Sequence, residues 1–108
     1  MKAQIYNYAI WVDITNPNAL YNKYSKLLSE SGFNVLNVVE KHCEPFGYTA
    51  LFLLSESHFA IHTFPEHNQT YIELSSCVKV PYDNFTKIMN NAKSRQYTEF
   101  STGCYNTK

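Results

Sequence analysis

At 108 residues, 44% apolar and 17% charged, the chain is large enough for one buried core, too short for two, and far from the composition of disorder. Nine basic residues balance nine acidic ones, which excludes a strong field for nucleic acid or an anionic membrane. No apolar run has the length of a membrane span, the start lacks a signal-peptide core, and three scattered cysteines predict reduced thiols in a cytoplasmic protein.

Residues 3–15, "AQIYNYAIWVDIT", are rich in aromatic and β-branched side chains and read as a strand. Asn16 then caps a helix with Pro17 at its first position. Leu20, Tyr24, Leu27, Leu28 and Ser31 form its apolar stripe, and Gly32 closes it. Residues 33–42 are a second strand, and "EPFG" (44–47) is a turn. Three strands follow at 48–55, 57–64 and 70–77, the last two joined as an antiparallel hairpin by "PEHN". A second helix spans roughly 83–93, with Phe85, Ile88, Met89 and Ala92 on its buried side, and 95–101 closes as an edge strand.

The order β-α-β-β-β-β-α-β predicts an α+β two-layer sandwich: a mostly antiparallel sheet with both helices on one face. No linker, repeat or low-complexity segment divides the chain, so residues 1–108 read as a single domain. Alternation places His58, Ala60, His62 and Phe64 on one side of their strand and Phe59, Ile61 and Thr63 on the other.

The stretch "LSESHFAIHTFPEH" (54–67) concentrates the chemistry. A hydroxyl nucleophile at Ser57, an imidazole base at His62 and a thiol at Cys77 are expected to share one end of the sheet. With the tight turn, His62 falls opposite Tyr71, and Cys77 falls beyond Ser57. Imidazole is the usual general base near neutral pH, and a thiol is a competent acid or nucleophile. The four histidines and three cysteines lack the close pairs of structural zinc sites, so no metal is expected.

The pattern "ESHFAIHTFPE" with a later cysteine resembles the bacterial and archaeal S-adenosylmethionine decarboxylases, pyruvoyl enzymes that cut themselves between Glu and Ser of such a motif. Glu56, Ser57, His58, Ile61, His62, Thr63, Pro65 and Glu66 match it. Cys77 stands at the family's interval, preceded by an acidic Glu73, and the likeness in length and element order runs over nearly the whole chain.

The resemblance implies that Ser57 attacks the Glu56 carbonyl to give an ester, and that His62 assists the elimination that breaks it. A pyruvoyl group then remains at position 57. The products are a β chain, 1–56, and an α chain, 57–108. Thr49 stands where the family has a supporting serine. The ketone forms a Schiff base with the substrate amine and serves as electron sink, so neither metal nor pyridoxal phosphate is expected. Cys77 is implied as proton donor after carbon dioxide leaves, and Glu66 as the carboxylate that holds the ribose hydroxyls of S-adenosylmethionine. The product is the aminopropyl donor of spermidine synthesis, and the assembly implied is a homodimer of αβ pairs.

The departures cluster around the nucleoside. Cys43 replaces an adenine-stacking aromatic, a loss of about 0.5–1.5 kcal/mol unless Phe46 or Tyr48 compensates. Cys77-Val78 replaces the usual Cys-Gly, Asp13 stands for a usual glutamate, and a histidine common in the first strand is absent. L-Ornithine or L-arginine is therefore the competing substrate. An uncut, non-catalytic homologue that binds a processed partner is the competing class.

Overall fold

The computed structural model describes residues 3–92 and, as backbone, 98–99. Strands β1 (Tyr6–Val12), β2 (Val35–His42), β3 (Tyr48–Leu54), β4 (Ser57–Phe64), β5 (Gln69–Ser76) and the two-residue β6 (Thr98–Glu99) form one antiparallel sheet in the order β2-β3-β4-β5-β1-β6. Helices α1 (Pro17–Ser31) and α2 (Lys79–Ala92) pack on one face, which gives the expected two-layer α+β sandwich.

Helix α1 begins where its sequence dictates. The Asn16 side chain accepts the Ala19 N–H at 2.9 Å, and Pro17 sits where no N–H is required. Gly32 ends it at φ +107°, a left-handed conformation that a Cβ disfavours. All five residues of the expected stripe are buried. Asn16→Ala is expected to destabilise the fold by about 1 kcal/mol, measured as a lower urea midpoint at unchanged slope.

Helix α2 starts at Lys79, four residues before the expected Asp83. Pro81 falls in its first turn, where a missing N–H costs nothing, and Ser76 Oγ accepts the Val78 N–H at 3.0 Å just ahead of it. Of its expected buried residues, Phe85 and Met89 are core and Ile88 packs at the edge. The Ala92 side chain, Lys93 and Cys104 lie outside the described residues, as does the strand expected at 95–101 apart from 98–99.

The core lies between the helices and the inner sheet face. Phe59 is its hub, with ring centroids 5.4 Å from Tyr24, 5.6 Å from Phe52 and 5.7 Å from Phe85. Strand alternation puts Phe59, Ile61 and Thr63 into this layer, as expected. Buried Thr63 is used as well as filled: its Oγ1 accepts the Tyr48 N–H at 2.8 Å.

Among the described residues, the opposite sheet face carries no helix. Val39, Leu51, Leu53 and Phe64 on it are 38 to 62% exposed, and Ala60 escapes exposure only because it is small and lies between Leu51 and Glu73. His58 and His62 share this outer face.

Candidate functional site

The β4–β5 hairpin sets the geometry of everything reactive. Pro65–His67 forms one turn of 3₁₀ helix, and Asn68 at φ +54° reverses the chain, a conformation that Asn tolerates. Phe64 therefore pairs with Gln69, His62 with Tyr71, and Ser57 with Ser76. The expected pairing of His62 with Tyr71 holds, and Cys77 lies just beyond Ser57.

At that end the chain makes a tight link between β3 and β4, with Glu56 at φ +61°. For a residue with a Cβ this region costs roughly 1–2 kcal/mol, and it is held here by the hydrogen bonds around it. The Glu56 carbonyl oxygen accepts the Cys77 N–H at 3.2 Å and the Ser57 hydroxyl at 2.6 Å. Ser57 Oγ lies 2.9 Å from Ser76 Oγ. The Glu56-Ser57 peptide is thus a left-handed link whose carbonyl is polarised by a backbone donor and whose neighbouring hydroxyl lies against it. That arrangement brings the serine oxygen next to the bond that precedes it, with a donor already on the oxygen that an attack would make negative.

His62 is elsewhere. It lies five residues along β4 from Ser57, roughly 16 Å for an extended strand, and on the opposite face. The expectation that hydroxyl, imidazole and thiol share one end of the sheet therefore fails within a single chain. The odd interval of five decides it, because residues five apart on a pleated strand point to opposite faces. What the sheet brings to His62 is Thr49: their β strands pair in register, and Thr49 Oγ1 stands 3.3 Å from Nδ1. The Tyr71 ring lies over the imidazole at 6.5 Å between centroids.

Glu66 is exposed in the 3₁₀ turn, near the His62 end of the sheet. Next to that turn, a cleft of about 380 Å³ is lined by Thr15, Cys43, Phe46, Thr63 and Pro65 among others. Cys43 is exposed, its N–H bonded to the Gly47 carbonyl at 2.9 Å. Of the two aromatics expected near Cys43, Tyr48 is buried. Its hydroxyl donates to Glu40 at 2.6 Å, and burial together with that carboxylate holds its proton far more tightly than usual. Phe46 is 54% exposed and lines the cleft, so it is the aromatic that remains available there.

Ser76 and the Cys77 N–H escaped the sequence reading. The signal for Ser76 was present, since pairing Phe64 with Gln69 fixes Ser57 opposite Ser76 by counting back along both strands. No group of three or more His, Cys, Asp or Glu side chains among the described residues is arranged to hold a metal. No helix among them is long and apolar enough to cross a membrane.

The protein is thus a two-layer α+β sandwich in which Ser57 Oγ donates to the carbonyl that precedes it. The sequence model of S-adenosylmethionine decarboxylase matches residues 8–102, and the chain belongs to that family. It is 53% identical over 47 residues to an S-adenosylmethionine decarboxylase proenzyme 2 of Bacillus cereus, and 40% identical over 47 residues to a proenzyme of Prochlorococcus marinus. Each match covers 44% of this chain and 38% of the relative, so the chain spans well under half the length of these curated relatives. The crystal structure of the Aquifex aeolicus adenosylmethionine decarboxylase superposes with a TM-score of 0.68 at 16% identity, covering 100% of this chain and 99% of that one, and shares its fold.

Proposed function

We propose that the chain is a self-cleaving proenzyme that cuts at Glu56-Ser57 and then decarboxylates S-adenosylmethionine to the aminopropyl donor for spermidine synthesis. The observation that carries this reading is the Glu56 carbonyl, held at φ +61° and bonded by the Cys77 N–H and the Ser57 hydroxyl. Ser57 supplies the nucleophile and the Cys77 N–H a donor for the oxygen that becomes negative. His62, steadied by Thr49, supplies the base that breaks the resulting ester.

Because Ser57 and His62 of one chain lie on opposite faces, the base acts across an assembly, a homodimer of αβ pairs. The apolar outer face that carries His62 supports such packing between copies. The fragments are residues 1–56 and 57–108.

Position 57 suits a pyruvoyl group, because it begins β4 next to a carbonyl held by a backbone donor, and the residue there is a serine. When formed, that ketone supplies the electron sink for losing carbon dioxide from an amino acid. Cys77 Sγ, exposed at the same end, carries the proton delivered to the substrate carbon. Glu66 orients the ribose hydroxyls, and Phe46 offers the nucleoside an aromatic face in place of Cys43. The free, exposed thiols of Cys43 and Cys77 accord with a cytoplasmic setting.

The test is a denaturing mass measurement followed by trapped carbon dioxide. Two fragments are expected, the C-terminal one blocked to Edman chemistry, with release from labelled S-adenosylmethionine and none from ornithine or arginine. Preferential release from either amino acid overturns the substrate, and a chain that stays whole overturns the processing. Cys77→Ala is expected to leave the cut in place, since the N–H it uses is backbone, while turnover falls by roughly 10²–10⁴-fold.

A further inference from the structure

We infer that Ser76 is a positioning residue for the self-cleavage, holding the Ser57 hydroxyl in the orientation from which it attacks; this rests on the processing proposed above. Ser76 ends β5 directly opposite Ser57 and is 1% exposed, an uncommon place for a serine without a task.

Its hydrogen bonds define what it can offer. Ser76 Oγ donates its own proton to the Val78 carbonyl at 3.0 Å and accepts the Val78 N–H at 3.0 Å. With its proton committed, it meets Ser57 as an acceptor, at 2.9 Å.

Ser57 has one hydroxyl proton and two acceptors, Glu56 O at 2.6 Å and Ser76 Oγ at 2.9 Å. These two states differ chemically. While the proton lies on the Glu56 oxygen, it sits between the nucleophile and the carbonyl, and attack through it needs a strained four-membered ring. Once it turns to Ser76, a lone pair of Oγ is free to face the Glu56 carbonyl carbon, and the Cys77 N–H stays on the oxygen.

The Oγ–C bond then forms and the C–N bond of Glu56-Ser57 breaks. The proton lost from Oγ ends on the Ser57 nitrogen. The step is an isomerisation and needs no co-reactant. Ser76 takes no proton for itself; it decides which way the Ser57 hydroxyl points.

The test compares Ser76→Val with Ser76→Thr, which have the same shape and differ in the acceptor oxygen, with Ser76→Ala as a smaller variant that the site accommodates. Fragment appearance is followed by denaturing mass spectrometry. Ser76→Val and Ser76→Ala are expected to cut roughly 10- to 100-fold more slowly than the unsubstituted chain, and Ser76→Thr within about threefold of it.

Hydroxylamine, which cleaves esters, adds a readout that a purely structural role would not move. It is expected to release fragments rapidly from His62→Ala, where ester accumulates, and slowly from Ser76→Val and Ser76→Ala, where ester fails to form. Cutting of Ser76→Val or Ser76→Ala as fast as Ser76→Thr, in an unsubstituted chain that does cut at 56–57, overturns the role of Ser76 alone. An unsubstituted chain that never cuts there overturns this role together with the processing.

Discussion

Ser57→Ala is expected to give one uncut chain of 12.5 kDa, however long it is incubated, where the proposed processing divides the unsubstituted protein into two fragments. The reason is local. The Glu56 carbonyl keeps its Cys77 N–H and Glu56 keeps its left-handed φ, but the hydroxyl that would attack is gone. Strain and polarisation without a nucleophile leave only hydrolysis by water, which is negligible for a peptide bond on the timescale of a preparation.

The substitution removes hydrogen bonds to Glu56 and Ser76 from a partly exposed residue, which costs about 1 kcal/mol. The uncut chain is therefore expected to fold, with an unchanged circular dichroism spectrum beside its single mass. Two fragments from Ser57→Ala would move the cleavage site away from Glu56-Ser57.

His62→Ala is expected to stall the proposed cleavage at a later point, with a defect that a second copy repairs. Loss of a general base slows a step by roughly 10²–10⁴-fold, so the variant alone accumulates an ester that hydroxylamine cuts. When it is co-expressed with a mass-tagged Ser57→Ala chain, fragments are expected from the His62→Ala chain only.

The geometry behind this is specific. One chain holds Ser57 and its own His62 roughly 16 Å apart on opposite faces of β4, so in the proposed assembly the imidazole that serves Ser57 comes from a second copy. The Ser57→Ala copy still has one. If the mixed preparation stays uncut while each chain remains folded, the imidazole does not act between copies.

The sandwich was legible from the sequence because its signals were local. The cap at Asn16, the stripe from Leu20 to Ser31, Gly32, and the alternation around Phe59 each act within a few residues, and the structure repeats them. Helix α2 starts four residues before the expected Asp83, and Pro81 fits inside its first turn, where a missing N–H breaks nothing.

The site was only partly legible. The motif located Glu56, Ser57, His62 and Cys77 along the chain, but an interval in sequence does not say which face of a sheet a side chain takes until the strand is fixed. Five residues had to separate Ser57 from His62. Thr49 reached His62 through cross-strand register, and the Cys77 N–H reached Glu56 through a backbone bond. Neither contact leaves a mark on residue identity.

The order of strands has its own consequence for a chain cut after Glu56. Strands β1, β2 and β3 would belong to one fragment and β4, β5 and β6 to the other, yet across the sheet the owners run β2-β3, then β4-β5, then β1, then β6. The fragments are laced: β1 is stitched between β5 and β6, and β3 to β4. Neither can be drawn out without tearing a ladder on each side. The native protein would hold its severed ends in place indefinitely, while the unfolded protein would be two molecules that must find each other again. Reassembly then becomes concentration-dependent, and folding before the cut is the only route by which one chain can tie this knot alone.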